Sequence, residues 1–452
     1  MNKAFKILSI LLFTGISAFG QEQADSTKFS LQQALDYGLQ RHESIKNEEL
    51  EYKSAEKQVW EATSYGLPQV SASGQFRHNI IIPKSIVPAN AFNPAAPADE
   101  LVALKFGTNY NVDFGFQVNQ LIFEGSYIVG IQVSKYYKEF TSTSIDLAKQ
   151  DVMYNISQAY YLGLIAEENL QLIDSTVEIT KKLLEDTKEL FKSGLIDETE
   201  VDQLELALSR VETQRILAKR QFENSKNLLK MSMAYDMEQD IELTDDLYSI
   251  LETLRANNPT QKLLDVENNL DFILLKRKQK LDEFNVKNEK FKNLPSIAAF
   301  FQLNTAAGRN NFDFFQNKPW YANSMWGLSL NIPITSSGNR WAKEQRAKIV
   351  VQQTSNKMDL LVRSLKYQEV QAKTQYNDAF DQLLREKDNV DLSKKIYERT
   401  IIKRSEGMVN SLEVSQTQSQ YISAQGTYIQ AIFDVLQAKT NLDKLFNNYT
   451  QK

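Results

Sequence analysis

His42 and His78 are the only histidines of the chain, and it has no cysteine. The two imidazoles fall in different segments, and neither has a partner at metal-ligand or catalytic-triad spacing. Without thiols there are no disulfides, thiolate metal sites or cysteine nucleophiles, and no mature Cys to carry a lipid anchor. No glycine loop of the kind that cradles phosphate is present. Acidic residues are abundant, but they lie along helical segments with lysines three or four positions away. That spacing describes solvated helix faces. The sequence therefore gives no reason to expect an enzyme, a cofactor or a metal.

The polar residues that do stand out belong to a motif written twice. Lys192-Ser193-Gly194-Leu195-Ile196-Asp197-Glu198-Thr199-Glu200-Val201 is answered, 213 residues on, by Ser405-Glu406-Gly407-Met408-Val409-Asn410-Ser411-Leu412-Glu413-Val414. Gly194 and Gly407 can take the positive φ that ends a helix. Asp197 or Asn410 can cap the next helix, with Glu200 or Glu413 three residues on as in a capping box. Each copy reads as a helical hairpin turn.

The elements that hold these turns are long helices. All nine prolines lie between Pro68 and Pro97 or between Pro259 and Pro333, so residues 126–258 and 334–452 are free of them. Val414, Thr417, Tyr421, Ala424, Tyr428, Ala431, Val435, Ala438, Leu442 and Leu445 repeat at 3,4 spacing. Val201, Leu204, Leu208 and Val211 keep the same register in the first copy, and Ile156 to Leu184 carry a similar stripe. This is coiled-coil packing, although an ordinary bundle core would explain the stripes taken alone. A continuous helix from Ser126 to Phe191 would reach about 100 Å and has little core of its own, so partner chains are expected.

Upstream of each hairpin lie strands. Leu67-Pro68 is answered by Leu294-Pro295, and Asn119-Gln120-Leu121-Ile122 by Asn331-Ile332-Pro333-Ile334. Residues 69–80 alternate polar odd positions with mostly apolar or small even ones, and 110–119 alternate Tyr110, Val112, Phe114, Phe116 and Val118 with polar or small residues. Ile297 to Leu303 and Trp326 to Ile332 behave alike. Each run is close to the roughly 9–11 residues of a tilted transmembrane strand. Aromatic residues crowd the strand ends (Phe106, Tyr110, Phe123, Tyr127, Phe312, Phe314, Phe315, Trp320, Tyr321), as in interfacial girdles. The linkers 81–109 and 306–323 are rich in Pro, Ala, Asn and Gly, as exposed outer loops are. A soluble sheet packed on helices could show the same alternation, but four strands in hydrocarbon cannot leave their edges open and would have to combine with strands of other chains.

At the start of the chain, Lys3 and Lys6, an apolar run from Ile7 to Ile16 and small residues at Ala18 and Gly20 have the pattern of a cleavable signal over residues 1–20, with maturation near Gln21. No later stretch approaches a membrane helix. With 52 Lys+Arg against 57 Asp+Glu, net charge is −5 and interspersed, which excludes a nucleic-acid partner.

Taken in order and twice over, Phe29-Ser30-Leu31-Gln32-Gln33-Ala34-Leu35, the two glycine turns with Glu200-Val201 and Glu413-Val414, and Leu328-Ser329-Leu330-Asn331-Ile332-Pro333 resemble the TolC-like outer-membrane efflux and export ducts. The resemblance covers essentially the whole mature chain. It implies a mostly α fold with a transmembrane β-barrel section: two repeats of helix-strand-strand-helix-helix in a homotrimer, whose four strands per chain build a twelve-stranded barrel continued by a periplasmic coiled-coil tunnel. The organisation expected is a first periplasmic helix over 21–66, barrel strands over 67–125, a helical hairpin over 126–235 with its tip near 193–200, and an equatorial segment over 236–262. The second repeat follows as a helix over 263–293, barrel strands over 294–335, and a hairpin over 336–452 with its tip near 406–413.

The function so implied is the passive outer-membrane channel of a tripartite efflux pump or type I secretion system in a Gram-negative bacterium. Its partners would be outer-membrane lipid, a periplasmic adaptor and an inner-membrane pump of RND or ABC type. By the same carry-over, Gly194, Leu195, Ile196, Gly407, Met408 and Val409 form the adaptor-docking tip, and Glu413, Gln416, Arg404, Glu200 and Thr199 the periplasmic gate. Three copies of Glu413 would ring the narrow mouth with carboxylates that attract cations. The family's next acidic position is Gln416 here, and its tyrosine and arginine latch positions are Arg404 and Val409. A contact of Arg404 with Glu200 or Glu413 would replace that latch; a solvated Arg404 is the simpler reading. The alternative function is a secreted coiled-coil scaffold or adhesin with a soluble sheet.

Overall fold

The structure is a computed structural model that describes residues 27–92, 94–95, 97, 99–256 and 259–449. The expected signal segment, 1–20, lies outside the described residues. The chain divides into two compact units, each assembled from distant stretches of sequence.

One unit contains the described residues up to Gln40 together with Asn155–Asn258 and Gln382–Leu436. Strand β1 (Lys28–Phe29) leads into α1 (Leu31–Arg41) and pairs in parallel with β6 (Glu242–Leu243). The unit takes the lower part of α3 (Gly125–Lys192) and of α7 (Asn339–Ser405), all of α4 (Glu198–Met233) and α5 (Leu247–Ala256), and most of α8 (Ser411–Leu445). Of the heptad positions read from the sequence, Ile156, Leu204, Val414 and Val435 are inaccessible while Thr417, Tyr421 and Tyr428 are half-buried, and Tyr160, Leu229, Ile432 and Leu436, outside that register, are buried with them. Tyr160 is placed by hydrogen bonding as well as packing. Its hydroxyl donates to the Phe29 carbonyl at 2.9 Å, and the carboxylate of Asp245 accepts from the Leu31 amide at 2.7 Å, satisfying a donor at the start of α1.

The other unit contains Arg41–Tyr154, Pro259–Asp381 and the chain from Gln437. The first helix of the sequence reading, 21–66, is in fact two: after α1, helix α2 (Glu43–Ser64) restarts at His42, whose extended backbone and Nδ1, accepting from Ser44 N–H at 3.2 Å, make it an N-cap. Helix α6 (Leu270–Phe291) is capped by Asn269 Oδ1. Four antiparallel strands follow the helices: β2 (Gln69–His78), β5 (Tyr110–Phe123), β7 (Ser296–Arg309) and β8 (Tyr321–Asn331), in the spatial order β2-β5-β7-β8. The linker 81–109, read as a loop, contains a small antiparallel hairpin of β3 (Lys84–Pro88) and β4 (Leu101–Lys105).

The register of the sheet matters more than its existence. Val70 faces Val118, Val118 faces Phe301, and Phe301 faces Trp326, so one rung of four apolar side chains crosses the sheet. One residue along, on the opposite face, a rung runs Gln69, Asn119, Phe300, Gly327; further up that face another runs Ser73, Gly115, Asn304, Asn323. Side chains alternate faces along each strand, so the register collects the apolar positions on one side and most polar positions on the other. Arg77 and Asp113 form an ion pair at 3.0 Å within the polar face. Phe300 is its aromatic exception, and it lies over Gly327, where an added Cβ would come within 2.7 Å of the ring.

The apolar face is uncovered. Every residue of β2 is exposed, and so are all but one of β8; Val70 is 70% accessible and Trp326 79%. The outer edges of β2 and β8 pair with no strand among the described residues. At the loop end of that face, Phe312 meets Phe76, Tyr110 and Phe314 edge-on, Phe76 stacks on Tyr110, and His78 stacks on Tyr110 with 4.4 Å between ring centroids. No helix among the described residues is long and apolar enough to cross a membrane.

Candidate functional site

The two hairpin turns that recur in the sequence lie together in one unit, and their backbones are nearly superposable in hydrogen-bond pattern. At the end of α3, Gly194 N–H donates to the Phe191 carbonyl at 2.8 Å and Leu195 N–H to the Leu190 carbonyl at 3.0 Å. At the end of α7, Gly407 donates to Arg404 at 2.9 Å and Met408 to Lys403 at 2.9 Å. Both glycines are left-handed, with φ of 72° and 74°, which completes a Schellman closure at each helix end. Leu195 and Met408, the residues after the glycines, are 70% and 69% accessible, and Ile196 and Val409 are half-buried beside them.

The return helices begin differently. Asn410 Oδ1 accepts from the Glu413 amide at 3.0 Å and so caps α8, whereas Asp197 is extended at the start of α4 and makes no side-chain cap. Glu200 does not reach back to its own helix start as a capping box would. Its carboxylate crosses to the other hairpin and accepts from both the N–H and the hydroxyl of Ser411, at 3.2 and 2.6 Å. It thereby satisfies a free amide at the beginning of α8, where the helix dipole also favours a negative charge.

Two further polar ties join the hairpins behind the tip. Arg404 donates to the hydroxyl of Thr187, which is fully buried and itself donates to the Leu183 carbonyl at 2.6 Å. Gln418 Nε2 donates to Thr180 Oγ1 at 3.0 Å, both side chains being buried. Burial lowers the Arg404 guanidinium below its ordinary range, while the carboxylates of Glu200 and Asp186 act against that shift. Arg404 is therefore half-buried and held by a hydroxyl, with Glu200 nearby but not bonded to it. An apolar cluster of Leu184, Val201 and Leu204, flanked by Leu183 and Leu208, holds the first hairpin together just behind these ties.

Of the residues singled out from sequence, Glu200 and Arg404 lie in this junction. Thr199 and Glu413 are exposed on the first turns of their helices, and Gln416 is exposed one turn further on. Thr187, Ser411 and Gln418 were not among them, and Thr180 figured only as a seam position of α3; the seven-residue interval between the two threonines was the signal available. Among the described residues no group of His, Cys, Asp and Glu is placed to hold a metal ion.

Comparison with known proteins agrees with the geometry. Residues 275–448 match the family described as outer membrane efflux protein. Outer membrane protein TolC of Vibrio cholerae serotype O1 is 22% identical over 263 residues, which is 56% of this chain and 57% of that protein, so the chain aligns with little more than half the length of that relative. Among solved structures, the outer membrane channel CmeC of Campylobacter jejuni superposes with a TM-score of 0.67 at 17% identity, covering 92% of this chain and 85% of CmeC. The open state of the Neisseria gonorrhoeae outer membrane channel MtrE does so with a TM-score of 0.68 at 14% identity, covering 92% and 88%. CmeC and MtrE are outer membrane channels, and the scaffold or adhesin alternative finds no counterpart among these proteins. Residues 275–448 thus match the outer membrane efflux protein family, and the chain shares its fold with these outer membrane channels.

Proposed function

We propose that the protein is the outer-membrane channel of a tripartite efflux pump or type I secretion system, conducting substrates passively from a periplasmic adaptor and an RND- or ABC-type inner-membrane pump to the exterior. The observation that carries this reading is the four-stranded sheet: one face apolar in register and uncovered, the other largely polar, and both edges open. A sheet of that kind is unstable in water and incomplete in lipid, because exposed edge groups have no partner in hydrocarbon. Three copies joined edge to edge would close a twelve-stranded barrel with lipid outside and water inside.

In that assembly the helices continue the duct into the periplasm, with 126–235 and 336–452 as its two hairpins and 236–262 as an equatorial segment. The exposed Leu195 and Met408 with Ile196 and Val409 give the adaptor an apolar knob on each hairpin, set by Gly194 and Gly407. Glu413 supplies a single ring of carboxylates at the mouth, with Gln416 neutral one turn on. Ties through Glu200 and Arg404 take the place of the family's usual latch, and Thr199 borders them.

The test is extraction and reconstitution. The reading expects a protein released from membranes only by detergent, sedimenting as three chains and producing discrete conductance steps in planar bilayers. A monomer released by salt or buffer alone, with no conductance, would return the scaffold reading to first place.

A further inference from the structure

Within the unit that carries the tip, a cavity of about 420 Å³ opens between α3, α5, α7 and α8. Its floor is built from side chains that are themselves buried, among them Tyr397 and Gln418, while Tyr248 stands at its rim, 40% accessible. Tyr421 and Tyr428 complete the aromatic lining, and Tyr397 and Tyr421 stack with 6.0 Å between centroids and 18° between planes. Four tyrosines on three helices thus surround one hollow.

A single charged group faces that hollow. Glu168 is its only ionisable acid, no Lys, Arg or His lines it, and no basic residue lies within ion-pair distance of Glu168 among the described residues. The carboxylate accepts one hydrogen bond, from the Tyr248 hydroxyl at 2.9 Å. Burial and the Glu168 charge push the Tyr248 phenol upward, so it remains a neutral donor that orients the carboxylate. Gln171 and Gln425 add amide groups at the wall. No other hydrogen bond to the Glu168 carboxylate is made among the described residues, and the tyrosine rings that line the cavity with it have negative faces.

We infer that this cavity is a binding site for an organic cation with an aromatic or aliphatic body, the ammonium or iminium charge set against Glu168 and the body held among Tyr248, Tyr397, Tyr421 and Tyr428. Aromatic rings around a carboxylate attract a desolvated cation by two effects that add, and they leave an anion of the same size with neither. A neutral ligand gains only the apolar walls. The site lies behind the tip and shares Gln418 with the ties there, and its existence does not depend on the channel reading.

The experiment is a fluorescence titration of the full-length protein in detergent with ethidium, a planar aromatic cation, and with 1-anilinonaphthalene-8-sulfonate, an aromatic anion of similar size, each corrected against a detergent blank. Saturable ethidium binding is expected, with no comparable saturation by the anion. Glu168→Gln should weaken ethidium roughly tenfold, Tyr421→Leu several-fold, and Tyr421→Phe little, since it is the ring that packs against the aromatic body of the dye. Equal binding of both dyes, or an unchanged affinity in Glu168→Gln with an unaltered melting temperature, would overturn the proposal. If Glu168→Gln fails to fold, the contrast between Tyr421→Leu and Tyr421→Phe decides it: loss of ethidium binding in the leucine variant alone supports the site, and equal affinities in the two refute it.

Discussion

The carboxylate of Glu200, in the first turn of α4, holds the first residue of α8 by accepting from both the N–H and the hydroxyl of Ser411. The return helix of the second hairpin therefore starts on a group supplied by the first. The tip is cross-capped, and the residues concerned are 211 positions apart in sequence.

Cutting this tie should loosen the tip. Ser411→Ala removes one of the two bonds and Glu200→Gln weakens both, and hydrogen bonds to a charged acceptor are worth about 1.5–3 kcal/mol each. We expect larger or more frequent conductance steps in planar bilayers from Glu200→Gln than from the wild type, with Ser411→Ala intermediate. Conductance identical in all three proteins would show that the tie is structural decoration on a gate set elsewhere. Thr187→Val, which removes the acceptor of Arg404, should act in the same direction.

Glu413 is expected to set the sign of the ions admitted. It is exposed and capped only through its backbone, so nothing neutralises its carboxylate within the chain among the described residues. Glu413→Gln should move the reversal potential under a salt gradient toward zero, while Gln416→Glu should move it further toward cation preference, because a second ring one turn on adds to the first. A reversal potential indifferent to both substitutions would place the selective constriction elsewhere.

What the sequence disclosed and what it hid follow from the range of the interactions involved. The glycine turns, the heptad seams and the strand alternation are local: Gly194 and Gly407 declare positive φ, and Val414 to Leu445 declare a seam, without knowledge of any partner. The broken helix at His42 was missed because histidine is an unusual N-cap and the break removes no heptad signal. The β3–β4 hairpin was missed because Pro88 and a Pro- and Ala-rich linker disguise two five-residue strands. The ties of Arg404 to Thr187 and Glu200 to Ser411 join residues more than two hundred positions apart, and neither pattern nor propensity encodes such a pair. For Arg404 the sequence offered either a carboxylate contact or a solvated charge; within the chain its hydrogen bond goes to the buried Thr187 hydroxyl on α3.

Away from the tip, Lys226 and Asp240 give a stability signature in pH. The ammonium of Lys226 lies 2.8 Å from Asp240 and 3.3 Å from Glu223. Burial would lower the Lys226 value, but these two carboxylates outweigh it and raise it; the same hydrogen bond holds the Asp240 carboxyl below its usual range. A lowered carboxyl contributes stability above its unfolded value of about 3.9, and that stability is lost as pH falls through the folded value. A raised ammonium contributes below its unfolded value of about 10.4 and loses it as pH rises through the folded one. Asp240→Asn should therefore melt lower than wild type at neutral pH, by no more than about 1 kcal/mol given how exposed Asp240 is. The gap should close below about pH 4. A gap that persists at pH 2.5 would assign it to packing instead.

The two faces of the sheet can be separated by neighbouring residues of one strand. Leu328 points to the apolar face, paired with Ala299, and Ser329 to the other, paired with Ala298. If the apolar face meets lipid, Leu328→Lys puts a charge into hydrocarbon, which costs about 2–4 kcal/mol per chain near the bilayer midplane and is multiplied across an assembly of several chains. Ser329→Lys places the same charge in water. The expected result is that Leu328→Lys fails to reach the membrane fraction as a detergent-extractable oligomer while Ser329→Lys does, with its conductance altered by the added charge. Equal tolerance of both lysines would mean that neither face meets lipid, and the barrel reading would fall with it. Equal failure would point to the strand backbone, since the two substitutions differ only in the face that they charge.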